Sequence, residues 1–502
     1  MILAQKMSKQ LPLRPHPHLY EINTWPWLEQ LSAHLGREIK LGDVPDSEWD
    51  SLGRLGFDIV WLMGVWQRSP ESRRVALAVP GNVRSYERAL PGWKPDDVIG
   101  SPYSVKQYVA DTRIGTWDDL DLAREKLRAR GIALFLDFVG NHTALDHPWT
   151  REHPEFYVQG TQKEFEADPG DFFRVETPKG AFYIAFGRDP YFPPWRDVAQ
   201  LNHFNLQMRA AQIAVLREIA KHCDGIRCDM AMLHLKDIFG RVWGHLLGHT
   251  QPPEREFWEE AHEGVPELIL LAEAYWGTEP YLLDLGFSFV YDKDLYDAVR
   301  DINIDQVRAR LFVGVNHQSR LARFLENHDE ARCVDVFGKQ RLPSVATLMG
   351  TLPGMRFYYQ GELKGCEPHL PITLRVQANQ PSDPICAELF AKVLGVTNEE
   401  VFHRGRWRLL EATFVNDSTF NNLITYEWRS AKAWKIIVVN LKETASQGRV
   451  KFDASLLSGT DYIFYDELHD VRYPRKGEEL RDSGLFVRLE GFQAHLFEVS
   501  SA

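Results

Sequence analysis

Four short segments gather the residue types that bond-breaking chemistry needs: DFVGNH at 137–142, GIRCD at 225–229, AE at 272–273 and ENHD at 326–329. Arg227 and Asp229 are two apart, so in an extended segment both side chains point to one face. A guanidinium there keeps the carboxylate ionised and aimed, the state a nucleophile requires. Glu273 closes the apolar run LILLAE at 268–273 and shortly precedes Trp276. Partial desolvation and a neighbouring carboxylate would both raise its pKa, which suits a general acid. One low-pKa and one high-pKa carboxyl group facing each other is the requirement for cleaving a glycosidic bond. Asp329 supplies a third carboxylate, able to stabilise positive charge on an oxocarbenium-like transition state. His142 and His328 can donate hydrogen bonds to sugar hydroxyls. Singly, each group has an ordinary reading: a helix cap, a loop charge, a structural ion pair, a buried histidine. In order, each at the end of an expected strand, they point to one site.

The elements that must position them alternate between strand and helix, the pattern of parallel βαβ units. Eight strands are expected, at residues 19–23, 57–63, 131–139, 225–229, 268–273, 287–291, 323–326 and 354–359. Helices are expected at 46–55, from Thr116 as N-cap to Gly131, at 206–221, and from Asp383 and Pro384 to Gly395. This is a (β/α)8 barrel, whose site lies at the carboxyl ends of its strands. Residues 1–142 and 205–399 are assigned to it. Residues 143–204, rich in Pro, Gly and aromatics, form a short subdomain inserted after strand 3. A second long loop covers 65–115. From residue 400 to 502 the apolar runs alternate, at 423–428, 434–441, 462–465 and 494–499, and predict a C-terminal antiparallel β-sandwich domain.

The 502 residues carry 70 acidic and 58 basic side chains, a net charge of −12. That balance argues against a nucleic-acid partner, which calls for a basic footprint. No apolar run reaches membrane-spanning length, and the N-terminal segment lacks a signal-peptide core. The expectation is a cytoplasmic protein without membrane association. The five cysteines include no CxxC pair, so neither a disulfide frame nor a zinc knuckle is expected. Two other functions compete with a glycosidase. One is a non-catalytic sugar-binding barrel. The other is a metal-dependent hydrolase built on His142, Asp229, Glu273 and His328, which Arg227 beside Asp229 opposes.

The four segments, the third extended to AEAYW at 272–276, with SPYSVKQY at 101–108, GTWDDL at 115–120 and PGMRFYYQG at 353–361, resemble the α-amylase family, glycoside hydrolase family 13. The resemblance runs over essentially the whole chain. It implies Asp229 as nucleophile, Glu273 as general acid/base and Asp329 as transition-state stabiliser. It implies that Arg227 orients Asp229, that His142 and His328 bind the sugar in the cleaved subsite, and that Tyr103 stacks on it. Arg332 matches a substrate-side arginine three residues after the stabiliser. Asp137 and Asn141 match residues that hold the site together. The implied substrate is an α-linked glucoside or α-glucan oligosaccharide. The implied mechanism is retaining, through a covalent glycosyl-enzyme, with carboxyl groups about 5–5.5 Å apart. Water, another sugar or phosphate could resolve that intermediate, giving hydrolysis, transfer or phosphorolysis. Two departures stand out. Met232 and Leu233 replace a Lys-His pair common in α-amylases, which argues against endo-acting starch hydrolysis. Gln200 stands where an Asp often serves a calcium site, so no cofactor is required, no metal ligand is assigned and calcium is not expected.

Overall fold

The computed structural model describes residues 11–457 and 460–502. Residues 1–10, which open the segment read for a leader, lie outside the described residues. Eight strands pair in parallel and close into a barrel: β1 (His18–Asn23), β2 (Ile59–Met63), β3 (Ala133–Phe138), β4 (Gly225–Cys228), β5 (Ile269–Ala272), β6 (Phe289–Tyr291), β7 (Leu321–Arg323) and β8 (Met355–Tyr359). Every residue of β2, β3, β4, β5 and β8 is buried. That is why these strands read as nearly continuous apolar runs, interrupted by Asp137, Arg227 and Arg356: both faces are covered, one by the barrel interior and one by helices.

The interior is less apolar than the strands suggest. Trp61, Asp137, Arg227, Tyr291 and Phe357 fill it in mutual contact. Trp61 Nε1 donates to Asp137 (3.0 Å), and the Arg227 guanidinium lies over the rings of Trp61 (5.4 Å) and Tyr291 (5.7 Å). Phe357 packs on Trp61 and Tyr291. The register sets Arg227 level with Asp137 on the adjacent strand. The side-chain alternation of each strand therefore carries charge inward at the level where the loops begin.

Helix starts follow their caps. Thr116 and Asp119 form the capping box of helix Trp117–Arg128, Asn205 caps Leu206–Ile219, and Asp383 caps Pro384–Thr397. Two expectations are corrected. The seventh strand is Leu321–Arg323 rather than 323–326: its ladder runs from Leu321 and Ala322 against β6 to Ala322 and Arg323 against β8, and the Arg323 charge buried in it is neutralised by Asp292 (3.0 Å). The last barrel helix runs through Gly395 to Thr397; that glycine is not left-handed and its missing side chain faces open space, so nothing there stops the helix.

Between β3 and β4, strands His142–Ala144, Gln159–Gly160, Phe172–Thr177, Gly180–Gly187 and Trp195–Gln200 form a small antiparallel sheet. The 65–115 segment is not a bare loop. It holds helices Pro70–Ala78 and Pro80–Ala89 and the strand pair Trp66–Arg68 with Val105–Ala110.

The C-terminal region is a six-stranded antiparallel sheet facing a three-stranded one. All four alternating runs read from the sequence belong to the larger sheet. Its alternation has a particular consequence, because both of its faces are covered. Ile436 and Val438 point into a cluster shared with Val450, Leu485 and Val487 of the smaller sheet, whereas Ile437 and Val439 point into the core of the barrel. Among the described residues, no helix is long and apolar enough to cross a membrane.

Candidate active site

At the carboxyl end of β4, one guanidinium meets two carboxylates. Arg227 Nη1 donates to Asp229 Oδ1 (2.6 Å), and Nη2 lies 2.7 Å from Glu273 Oε2 in a close but poorly aligned contact. Asp229 and Glu273 stand just past the ends of adjacent strands. The ladder continues to them through Asp229 N–H on Phe138 O (2.9 Å) and Glu273 N–H on Cys228 O (3.1 Å). They therefore face each other across the width of one guanidinium.

Met230, directly after Asp229, adopts a left-handed conformation (φ 42°). A side-chain-bearing residue there costs roughly 1–2 kcal/mol. The strain turns the Met230 N–H onto Glu273 Oε2 (2.7 Å), and Tyr275 donates its hydroxyl to Oε1 (2.7 Å). Glu273 thus has a fixed orientation with both oxygens engaged.

Beyond β7, Asn327 accepts the N–H groups of Asp329 and Glu330 (both 2.9 Å) and sets the turn that presents Asp329. His328 Nε2 lies 2.9 Å from Asp329 Oδ2 and 2.6 Å from the Tyr103 hydroxyl. Its Nδ1 faces Glu21 Oε1 of β1 at 2.5 Å, with both side chains fully buried. Tyr103 stacks on the His328 ring, centroids 5.1 Å apart. The Asp329 side chain is 48% exposed and marks the mouth of the site; Asp229 and Glu273 lie at its floor.

The charges follow from burial and pairing. Burial pushes both Asp229 and Glu273 above the ordinary carboxylate range, and Arg227 opposes the rise at each. This corrects the sequence expectation of a low-pKa Asp229 opposite a high-pKa Glu273: the arginine is shared, and burial acts on both. The depressed carboxyl is Asp329. Partial desolvation works against its ionisation, but the charge and hydrogen bond of His328 outweigh it and bring its pKa down to about 2. His328 is correspondingly pushed well up, burial being overcome by the charges and hydrogen bonds of Asp329 and Glu21, while burial pushes Glu21 itself upward.

Asp137 lies beneath these groups and holds the floor together, accepting from Trp61 Nε1 (3.0 Å) and Gly64 N–H (2.7 Å), with burial raising its pKa to about 6. His142 is neutral, burial lowering it to about 4, and its Nε2 contacts Tyr103 O (3.1 Å). Arg332 is buried apart from the carboxylates. It donates to Glu326 (2.5 Å) and to Gln360 O (2.8 Å), and it borders a separate cavity of about 740 Å³ between barrel and outer helices. Asn141 is paired with Gln200, whose amide nitrogen donates to Asn141 Oδ1, Asn141 O and Leu201 O (each 3.0 Å). Those oxygens are the donors a calcium ion would need, and a neutral amide already satisfies them. The residues here do not fit calcium.

Glu21, Tyr275, Tyr291 and the Met230 N–H were not singled out in the sequence. Glu21 had a visible signal, a charge inside the apolar strand LYEIN. Tyr275 lay within the AEAYW segment at 272–276, two residues after Glu273, without a role assigned to it. Beside Glu273, Trp276 meets Tyr191 edge-on at 5.1 Å, and both line a cavity of about 620 Å³ with Phe192, Thr278, Arg188 and Arg241.

A closed parallel barrel with carboxylates converging past its strand ends defines a class of (β/α)8 protein whose members carry chemistry at that face. Residues 47–380 match the family described as "Alpha amylase, catalytic domain". The chain belongs to the α-amylase family, glycoside hydrolase family 13. It is 26% identical over 337 residues to the α-amylase MalA of Haloarcula japonica, covering 64% of this chain and 41% of that protein. It is 27% identical over 336 residues to the trehalose-6-phosphate hydrolase of Escherichia coli, covering 54% and 57%. The chain thus spans about half the length of the curated relatives it matches. In fold it is similar to a maltogenic α-amylase, AmyB, of Thermotoga neapolitana (TM-score 0.68, 18% identity, 96% of this chain and 98% of that one).

Proposed function

We propose that this chain is a retaining α-glycosidase acting on α-linked glucosides or α-glucan oligosaccharides. One observation carries the reading: Arg227 holds two buried carboxylates of adjacent strands side by side, with the ionised Asp329 opposite. Asp229 attacks the anomeric carbon while Glu273 gives its proton to the leaving oxygen. The bond to the leaving group breaks as the ester to Asp229 forms. Glu273, now a carboxylate, takes a proton from the incoming water, which displaces Asp229 and restores the acid. Asp329 and the Tyr103–His328 pair surround the sugar as positive charge develops on it. The raised pKa of Glu273 keeps its proton available, and the shared Arg227 favours ionisation of Asp229 once Glu273 is protonated. Family membership and relatives named as α-amylases and oligo-1,6-glucosidases support the substrate class.

The test is turnover of maltooligosaccharides, isomaltose, sucrose and trehalose, with and without phosphate, following every product. Asp229→Asn should lower kcat by about 10⁴-fold or more, the scale on which loss of a nucleophile acts, and a 5-fluoroglycosyl fluoride should label Asp229. Absence of turnover on every α-glucoside, or full activity in Asp229→Asn, would refute the assignment.

A further inference from the structure

On the C-terminal sheet, far along the chain from the barrel carboxylates, Asp466 ends strand Asp461–Asp466, His469 lies in the turn that follows, and His495 sits on the paired strand Ala494–Ser501. The Nδ1 atoms of both histidines lie 2.6 Å from the same oxygen, Asp466 Oδ2. Three donor atoms from three side chains are thereby gathered within 4.8 Å of one another. We propose that Asp466, His469 and His495 form a binding site for one divalent first-row transition metal ion, with Zn²⁺ as the best match.

The donor chemistry fits. Two imidazole nitrogens and a carboxylate oxygen suit Zn²⁺ and its neighbours rather than Mg²⁺ or Ca²⁺, which prefer all-oxygen shells. The carboxylate is aimed in advance: Oδ1 accepts the N–H groups of Leu468 (3.2 Å) and Leu496 (3.3 Å), leaving Oδ2 toward the rings. The His495 ring is fixed by stacking on Phe497 (centroids 4.7 Å) and by the edge of Tyr473 (5.8 Å). His469 is the adjustable member, its side chain 44% exposed. Tetrahedral donors about 2.0–2.1 Å from an ion stand about 3.3 Å apart. Each nitrogen must therefore retreat by under one ångström, which the exposed turn allows. Solvent on the His469 side completes the shell with water and gives the ion its way in.

The position gives the ion a task. The same turn offers Leu468 O to Lys392 of the last barrel helix (2.9 Å), and Glu467 to buried Lys435 (2.8 Å), which also binds Glu399 (2.8 Å). A bound ion would lock the turn that joins the C-terminal sheet to the barrel. The site is independent of the glycosidase reading.

The intact protein, stripped with chelator, is titrated with Zn²⁺ by calorimetry, and metal content is counted after dialysis. We expect one ion per chain at micromolar affinity, and a melting temperature raised by roughly 2–3 °C at a hundredfold excess over Kd. Co²⁺ in place of Zn²⁺ should show the intense visible bands of a four-coordinate ion. The variant His469→Ala/His495→Gln should lose all three responses, while unliganded it melts cooperatively as a folded chain. Binding and melting responses equal in wild type and double variant, or no uptake by the wild type, would overturn the site. Should the double variant fail to fold, His469→Ala alone, at an exposed position, supplies the same comparison.

Discussion

Tyr275 and Met230 divide the Glu273 carboxylate between them, one oxygen each. Hydrogen bonds of this kind favour the ionised form, so they hold down a pKa that burial pushes up. Removing the Tyr275 hydroxyl removes a stabiliser of the charged state alone, and the pKa of Glu273 must rise further. In a reaction that needs Glu273 protonated, the limb of kcat/KM that falls toward alkaline pH should then move to higher pH. Tyr275→Phe tests this: a pH–rate profile with its alkaline limb unmoved or moved to lower pH would contradict the arrangement. Because Asp229 and Glu273 share Arg227, each limb reports the pair rather than one residue.

The barrel strands depend on turns in which a side chain has no room. Gly354, which leads into β8, has φ 101°, and a Cβ there would stand 2.2 Å from Leu321 O of β7 and 2.8 Å from Gln318 O. Both obstacles are backbone and cannot step aside. Gly354→Ala should destabilise the protein by about 3 kcal/mol or more, through strain added to a backbone clash. Gly277 offers the contrast. Its φ is 71° but nothing lies within 4 Å of its absent Cβ, so Gly277→Ala should cost only about 1 kcal/mol. Urea midpoints of the two variants measure the difference, and equal midpoints would show that the close approach at Gly354 is unimportant. Helices whose starts rest on caps were legible, in contrast, for a local reason. Thr116 and Asp383 act on N–H groups two or three residues away. The seventh strand was misplaced because the partner that neutralises Arg323 lies on another part of the chain.

At the scale of the molecule, the larger C-terminal sheet is sandwiched between its own small sheet and the barrel. Trp428 marks the seam. It is fully buried, donates Nε1–H to Thr351 O (2.7 Å), meets His16 edge-on at 5.1 Å and lies against Phe402. Trp428→Ala should cost about 3–5 kcal/mol. It should also split one cooperative thermal transition into two, since this indole couples the two cores. Differential scanning calorimetry reads both effects, and a single transition displaced by less than a degree would show that the seam contributes little.

The amino-acid sequence alone determined the periodicities, the caps and the order of the polar strand ends. These are short-range properties: residues two apart share a strand face, and a cap bonds within its own first turn. The eightfold alternation, the alternating C-terminal strands and the placement of Asp229, Glu273 and Arg227 at expected strand ends were legible on those grounds. The small sheet of strands Glu411–Thr413, Ser446–Lys451 and Leu485–Leu489 was not, because its strands are short and carry weak alternation. Only the tertiary structure decided which carboxyl groups are pushed up and which is pushed down. A pKa depends on every charge and on the water excluded around the group. Arg227 proved to be shared, Glu21 on β1 helps keep His328 protonated, and Gln200 closes over Asn141. Each of these partners comes from a part of the chain that no local pattern connects to the site.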